Sequence, residues 1–354
     1  MTDVVVIGAG VIGASVAWHL RKLGVREVLL VDRAAGPGEG STGRATGGFR
    51  AQFGTAINVR LSLLAREKLL RFQEDTGVDP GYLQAGYLWL ARTAEQLAML
   101  RAAHDVQQAC GLHEARILKR ADIANVNPYV RSDDVAGAAW CPTDGFLKPL
   151  EILRGYLQGA NVRWNAQVAA LRPNAVRLAD GSEIACGAIV NAAGPWAAEI
   201  ADLPVTPLRR QLACTPETDK LPASMPMTIW VEDGFHLRVR DGRVLLLAPG
   251  DDAGWLDRIR EYALRVPPLN GLPIEFGWDG LYEMSPDKHA IVGRLRENLY
   301  VVNGSSGHGV MHAPALGQLL AEIIVDGRAQ SLDIHALRPS RFAEGQPNVA
   351  PDLL

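Results

Sequence analysis

The sequence predicts an α/β fold in which a doubly wound sheet is assembled from discontinuous stretches of chain, with a strand-rich unit inserted between them. Three observations carry this expectation. A β-branched run, a glycine turn and a helical pattern open the chain. A second arrangement of that kind, "NLYVVNG" followed by "SSGHGVMHAPALG", stands near the other end. Between them lie short apolar alternations separated by Asp-Gly turns, with no internal repeat or low-complexity segment. At 354 residues the chain has room for about two domains.

Val4 to Ile7 is a continuous apolar run, suited to a strand buried on both faces of a parallel sheet. It leads into Gly8-Ala9-Gly10-Val11-Ile12-Gly13, and "VIGASVAWHLRKLG" then repeats apolar residues at helical spacing up to a C-capping Gly24. "EVLLVD" supplies a second strand ending at Asp32, about 20 residues beyond the glycines. A lone G-x-G-x-x-G is weak, but strand, glycines, helix, strand and acid in this order point to a bound dinucleotide. Gly8 would make the tight turn, Gly10 would admit a pyrophosphate, and Gly13 would let the helix pack closely on the strand. The helix N-terminus offers unpaired N–H groups to phosphate, and Asp32 can accept hydrogen bonds from the adenosine ribose. This unit alone does not separate FAD from NAD. NAD dehydrogenases more often keep the dinucleotide fold contiguous, so the discontinuous order favours FAD.

The stretch "GSTGRATGGFRAQFG", residues 40–54, holds five glycines, a density no helix is expected to tolerate. "INVRLSLLAREKLLRFQEDTG" reads as an amphipathic helix, "AGYLWLAR" as a strand and "AEQLAMLRAAHDVQQACG" as a second helix. A loop carrying Asp144-Gly145 enters a helix at Pro149, with Asp144 expected to cap that region. "NVRWNAQVAAL" and "AVRLADGSEIAC" read as short strands, the latter folding at Asp180-Gly181, and "AIVNAAG" as a separate buried strand. Residues 204–278 are strand-rich, with the Asp241-Gly242 hairpin between "FHLRVR" and "RVLLLAP". The last dozen or so residues, polar and proline-containing, are expected to be a loosely held tail.

Composition excludes several classes. The chain is 48% hydrophobic and 21% charged with a net charge of -3, so neither nucleic acid nor a membrane surface is an expected partner. No apolar stretch reaches transmembrane length, and the N-terminus lacks a basic leader, so a cytoplasmic enzyme is expected. Cys110, Cys141, Cys186 and Cys214 fit no metal spacing and read as small buried hydrophobes; no metal site is expected.

Six stretches, "VVVIGAGVIGAS", "GSTGRATGGFR", "DGFLKP", "IVNAAGPWA", "GLYEMSPDKHAIVG" and "NGSSGHGVMHAPALG", make the chain resemble the D-amino-acid oxidase superfamily of flavoproteins. Within it, the sarcosine oxidase and glycine oxidase branch is the most similar. The resemblance implies FAD in an extended conformation and a Rossmann-like FAD-binding domain built from residues 1–84, 143–203 and 280–330. It implies an antiparallel-sheet substrate domain from 85–142 and 204–279, and a tail over 331–354. It further implies that Gly8, Gly10, Val11, Ile12 and Gly13 meet the pyrophosphate, and Asp32 with Arg33 the adenosine. Ser41, Thr42, Arg44, Ala45, Thr46, Gly47 and Gly48 would line pyrophosphate, ribityl chain and flavin ring. Val168 would meet the adenine through its backbone, while Ala193, Gly194 and Trp196 would close over the cofactor. Gly304, Ser306, Gly307, His308, Gly309 and Val310 would approach the pyrimidine end of the flavin, where N–H groups stabilise the charge of its reduced form.

Departures from the resemblance carry expectations of their own. Covalent members hold a cysteine at the place of Gly280, so non-covalent FAD is expected. Tyr282 stands where D-amino-acid and glycine oxidases place a carboxylate-binding arginine; sarcosine-oxidase-type enzymes carry tyrosine there and an arginine matching Arg50. The lysine they pair with it is Met311 here, and either Met311 or His312 would shape the pocket in its place. A second lysine, which promotes oxygen reaction in some oxidases, has no counterpart in "RVLLLAP". Arg50, Tyr282 and His308 are therefore the expected substrate-side residues. His236, Arg238 and Arg240 share one strand face, expected to meet solvent unless it covers the flavin, in which case Arg238 becomes a second carboxylate candidate. Asp287, Lys288 and His289 read as a surface turn. The implied activity is FAD-dependent oxidation of a small amino acid or secondary amine, sarcosine- or proline-like ahead of D-amino acids or glycine. Hydride would pass to flavin N5 and leave an imine. A cofactor-bearing subunit of a hetero-oligomer is the rival arrangement.

Overall fold

A computed structural model describes residues 2–349 of the chain. Strand β1 (Thr2–Ile7), helix α1 (Val11–Lys22) and β2 (Val28–Val31) form the opening βαβ unit. The helical turn α2 (Ser41–Arg44), the short β3 (Gly48–Phe49) and the long α3 (Ala56–Thr76) follow. β4 (Tyr87–Ala91), α4 (Ala94–Ala109), β5 (Arg116–Lys119), α5 (Arg120–Val126) and β6 (Gly137–Cys141) make a first excursion into a second sheet. β7 (Gly145–Phe146) pairs with β3, and α6 (Pro149–Leu157) leads to β8 (Asn161–Arg163), β9 (Val168–Arg172), β10 (Ala175–Leu178) and β11 (Glu183–Asn191). After the short α7 (Ala197–Ile200) come β12 (Thr206–Cys214), β13 (Met227–Trp230), β14 (His236–Arg240), β15 (Arg243–Leu247), α8 (Trp255–Ala263) and β16 (Glu275–Met284). β17 (Ile291–Arg296), β18 (Leu299–Asn303) and α9 (Gly309–Asp326) return to the first sheet.

The first sheet runs β17-β18-β11-β1-β2-β8, with β9 and β10 attached beside β11. Its β18, β11, β1, β2 and β8 are mutually parallel, and β17 is an antiparallel edge. Val4 to Ile7 in β1 are all buried, as a strand covered on both faces requires. α1 and α9 pack on this sheet against each other so closely that a Cβ on Gly317 would overlap Ser15. The second sheet runs β16-β12-β15-β14-β13-β4-β6-β5 and is antiparallel except where β13 lies parallel to β4. Its two faces differ. One carries Leu88, Leu90, Leu237, Val239 and Leu246 into a core shared with Trp255, Ile259 and Ala263 of α8. Burying each large side chain of that core contributes about 1.5–3 kcal/mol. The other face looks toward the first sheet's glycine turns.

Several local expectations need correction. A helical turn does form in the glycine-rich stretch, over Ser41–Arg44, because the chain needs only one turn there. "GSEIAC" and "AIVN" are one nine-residue strand, β11, whose first part pairs with the β10 hairpin and whose second part pairs with β1 and β18. Helix α8 lies within the stretch read as strands; its Trp255, Ile259 and Ala263 recur every four residues and bury one face. β16 runs unbroken from Glu275 to Met284. Asp287 and His289 are buried rather than in a surface turn. Arg341, fully buried, binds both Asp287 oxygens at 2.9 and 3.0 Å, and the Asn348 N–H donates to the same carboxylate at 3.0 Å. The polar C-terminal stretch is thus anchored at least to Asn348. No helix among the described residues is long and apolar enough to cross a membrane.

Candidate active site

The C-terminal ends of β1, β2, β11 and β18 meet where the strand order reverses, the crevice where open parallel sheets bind ligands. Gly8 occupies its crossing with φ +101°, and a Cβ there would overlap the Ala192 carbonyl of the neighbouring strand. Gly13 is as constrained: a Cβ would overlap the Gly8 carbonyl, so glycine is what lets α1 sit on β1. Asp32 is fixed by two backbone donors, Ala9 N–H at 2.7 Å and Ala34 N–H at 2.8 Å. Thr42 Oγ1 accepts from Val11 N–H at 3.1 Å, tying the glycine-rich stretch to the start of α1. Ser41 Oγ donates to the Leu281 carbonyl at 2.7 Å, and Trp278 Nε1 donates to the Arg44 carbonyl at 2.9 Å, so β16 of the other sheet fastens the same loop.

A cavity of about 510 Å³ runs along these elements. One end is lined by Asp32, Arg33, Trp164 and Val168, the middle by Gly8, Gly10, Val11, Ile12, Ser41 and Thr42, with Arg44, Ala45, Ala193, Gly194 and Trp196 along its sides. The far end is closed by Tyr282, Glu283, Gly307, Gly309 and Val310. The Arg33 guanidinium lies over the Trp196 ring at 3.7 Å and shuts the first end. Gly13, Thr46, Gly47, Gly48, Gly304, Ser306 and His308 do not line this cavity. Gly47 and Gly48 instead let Leu147 and Tyr87 approach the loop. Ser306, with φ 52°, turns the β18–α9 connection, and its hydroxyl accepts from Ser285 N–H at 3.1 Å. Gly307 faces Tyr282 so closely that a Cβ would stand 2.6 Å from its ring. The residues present fit FAD: a long cradle made mostly of backbone, a fixed carboxylate at the ribose end, and a buried Asn303 Nδ2 on the lining with no acceptor among the described residues.

Beyond Tyr282, side chains of the loop after β3 and of the second sheet come within electrostatic reach of one another. Arg50 is 5% exposed; its Nη1 donates to the Gln52 carbonyl at 2.8 Å, and its guanidinium lies over Phe53 at 4.0 Å. Nη2 stands 3.1 Å from His308 Nε2. Arginine only donates, so His308 accepts at Nε2 and carries its proton on Nδ1. Burial, then the Arg50 charge, holds the His308 pKa well below the usual value, so this ring is neutral and its acceptor is engaged. That leaves it a positioning contact for Arg50. Burial also lowers the Arg50 pKa to about 10. Asp144 does not cap α6. It is fully buried, accepting from Ala51 N–H at 2.7 Å and Gln52 Nε2 at 3.2 Å, and so braces the loop that carries Arg50. Burial pushes its pKa up to about 6 against those hydrogen bonds.

Arg238 is not solvent-facing. Its Nη1 donates to the carbonyls of Thr46 at 2.6 Å and Gly47 at 3.1 Å, and its guanidinium covers Phe146 at 3.8 Å. These bonds commit it to the glycine-rich loop rather than to a substrate carboxylate. Arg240 does the same at the Ala45 carbonyl, 3.1 Å. His236 Nδ1 donates to the Gly234 carbonyl at 2.8 Å, and burial lowers its pKa to about 4, leaving a neutral ring with Nε2 as an acceptor. Met311 packs into the core, and His312 Nε2 meets Ser62 Oγ at 2.8 Å on α3, so neither replaces a missing lysine. Sequence reasoning missed Glu283, whose buried carboxyl accepts from Ser305 Oγ at 2.7 Å on the cavity wall and is shifted up by burial. It also missed Arg210, which the strand register places beside Tyr282.

Residues 3–323 match the FAD dependent oxidoreductase family, DAO, and the chain belongs to that family. It is 29% identical to the mitochondrial dimethylglycine dehydrogenase of Rattus norvegicus, covering 97% of this chain but 45% of that protein. It is 24% identical to the glycine oxidase of Geobacillus kaustophilus, covering 91% of this chain and 92% of the other. Among solved structures, the L-proline dehydrogenase from P. horikoshii superposes with a TM-score of 0.89 at 26% identity, covering 98% of this chain and 99% of that one.

Proposed function

We propose that this FAD-dependent oxidoreductase oxidises a small amino acid or secondary amine, sarcosine- or proline-like, at the carbon beside its nitrogen. The observation that carries the reading is the closure of the dinucleotide cavity by Tyr282 and Gly307, with Arg50 of the loop after β3 within electrostatic reach of both Tyr282 and His236 of β14. The activities named for the relatives, all amino-acid or amine oxidations, support it. Bound FAD supplies the hydride acceptor at N5, and the imine product hydrolyses in water. The chain's own residues orient and exclude. Arg50, braced by Gln52, Asp144 and His308, offers a fixed cation to the substrate carboxylate. Tyr282, its phenol kept neutral by burial, offers a hydrogen-bond donor beside it. His236 Nε2 accepts from the substrate N–H, holding the neutral amine so that its C–H faces the cofactor.

In this reading the FAD is non-covalent, since Gly280 packs its backbone against Arg44 and no cysteine lines the cavity. The cofactor domain takes residues 1–84, 143–203 and 280–330 and the substrate domain the rest up to residue 330. Cytoplasmic fractionation and gel filtration of native extract check the proposed location and separate a free enzyme from a hetero-oligomeric subunit. Anaerobic mixing of the purified yellow protein with a panel of amino acids tests the function: sarcosine- or proline-like compounds should bleach the flavin, and no bleaching by any amino acid or amine would end the reading.

A further inference from the structure

Four consecutive carbonyls of the glycine-rich loop accept hydrogen bonds from side chains of the second sheet. Trp278 Nε1 donates to Arg44 at 2.9 Å and Arg240 Nη1 to Ala45 at 3.1 Å. Arg238 Nη1 donates to Thr46 at 2.6 Å and to Gly47 at 3.1 Å. In a trans peptide the N–H points opposite to the C=O, so the Thr46–Gly47 unit turns its N–H away from Arg238. That N–H belongs to Gly47, which is buried, and it has no acceptor among the described residues. A buried donor in this state calls for an acceptor that the chain does not supply. Arg44 and Ala45, just before it, line the cofactor cavity.

The two arginines differ in charge balance. Arg240 is partly exposed and lies 3.4 Å from the Asp241 carboxylate. Arg238 is 6% exposed, covers the Phe146 ring at 3.8 Å, and has no ion-pair partner among the described residues. Asp241, an acid in electrostatic reach of it, projects into solvent. Burial lowers the Arg238 pKa to about 10, which keeps it charged at neutral pH. A buried cation that meets only carbonyl dipoles is costly, and an anion arising nearby offsets that cost.

We propose that Arg238 is a positioning residue for the cofactor. Its unpaired charge, carried through the Thr46–Gly47 peptide, stabilises the anionic reduced flavin over the oxidised form and so raises the reduction potential. This rests on FAD binding alone and holds whichever compound is oxidised. Hydride adds two electrons and one proton to the neutral ring and leaves one negative charge, so no further co-reactant is needed. Arg240 grips the neighbouring carbonyl in the same way, but its charge is matched by Asp241 and screened by solvent. It braces the loop without shifting the potential.

The test is the two-electron reduction potential of the purified holoenzyme, measured by equilibration with a reference dye. Affinity for sulfite, which adds to oxidised flavin and leaves a negative charge on the ring, is a second measurement. Neither needs a substrate. Arg238→Gln keeps a donor to the loop and removes the charge. It should shift the equilibrium about tenfold toward oxidised flavin, about 30 mV lower for a two-electron couple, and weaken sulfite binding by a similar factor. Arg238→Lys, which keeps the charge, and Arg240→Gln, which removes only the screened one, should both stay near wild type. A potential unchanged in Arg238→Gln, or lowered as much in Arg238→Lys or Arg240→Gln, overturns the proposal and leaves Arg238 a brace for the loop. If Arg238→Gln is recovered without flavin, the lysine variant decides. Flavin held there at the wild-type potential supports the role of charge, and any other result overturns it. Failure of every amine to reduce the flavin would end the amine-oxidation reading and leave this one standing.

Discussion

The two walls of the site are made of different material. On the side of the parallel sheet, the lining is backbone: the turn from Gly8 to Gly13, the Ser41–Thr42 turn, Ala193–Gly194 and the Gly307–Gly309 connection. On the side of the mixed sheet the site is closed by a side chain, Tyr282 of β16, with Arg50 and His236 in electrostatic reach of each other beyond it. A cofactor of one shape can be held by amides whose positions depend on where the chain can pass. A substrate that differs from relative to relative is selected by side chains that can change without moving the backbone. The two walls should therefore fail in different ways when altered.

The most severe expected failure is on the backbone wall. Gly8→Val would drive a branched side chain into Ala192 at φ +101°, and the variant should be recovered without flavin or not recovered at all. A yellow, stable Gly8→Val protein would remove the distinction between the walls. Next is the join between them, where Asp287 just beyond β16 is clamped by Arg341. Burial alone would raise that carboxyl, but the Arg341 fork and the Asn348 amide hold it well below the ordinary carboxylate range. Arg341→Met leaves a buried unpaired carboxylate and should cost about 3–5 kcal/mol, read by denaturant melts. A far smaller loss would show that the C-terminal stretch is dispensable to the site.

Arg50→Met belongs to the side-chain wall and should keep its flavin while weakening substrate binding on the order of a hundredfold, about 2.7 kcal/mol. Unchanged substrate affinity would end Arg50 as the carboxylate anchor; loss of flavin instead would assign it to the other wall. Asp144 gives a pH dependence with a definite sign. Its carboxyl titrates at 3.8 when solvated and at about 6 when folded, so the folded state holds the extra proton between those values. Its contribution to stability therefore falls as pH rises from about 4 to about 6 and is level above. Asp144→Asn should flatten that slope in denaturation measured across the window. The smallest effect is expected for Tyr282→Phe, a several-fold loss in substrate affinity, about 1 kcal/mol, with flavin binding intact.

Gly8, Gly10, Gly13 and Asp32 were legible because a β-strand, a turn and a helix close upon one another within thirty residues, and that geometry forces glycine at fixed spacing. Helix α3 and its Gly77 cap were legible for the same local reason. Asp144 read as a helix cap because Pro149 follows it; its true partners, Ala51 and Gln52, are more than ninety residues away in the chain. Asp287 and His289 read as a surface turn because their cover, Arg341, arrives from the C-terminal stretch. Arg238 read as either solvent-facing or substrate-facing, and neither holds, because the Thr46 and Gly47 carbonyls that claim it come from another sheet's loop.

By itself the sequence determined the family, the FAD cradle and the division into a parallel and a strand-rich part, since each is encoded in short-range periodicity and close-packed turns. Only the tertiary structure decided which partners each arginine is committed to. Arg50, Arg209, Arg210, Arg238 and Arg240 are chemically alike along the chain; burial, strand register and the acceptors that long-range folding brings to each are what separate them.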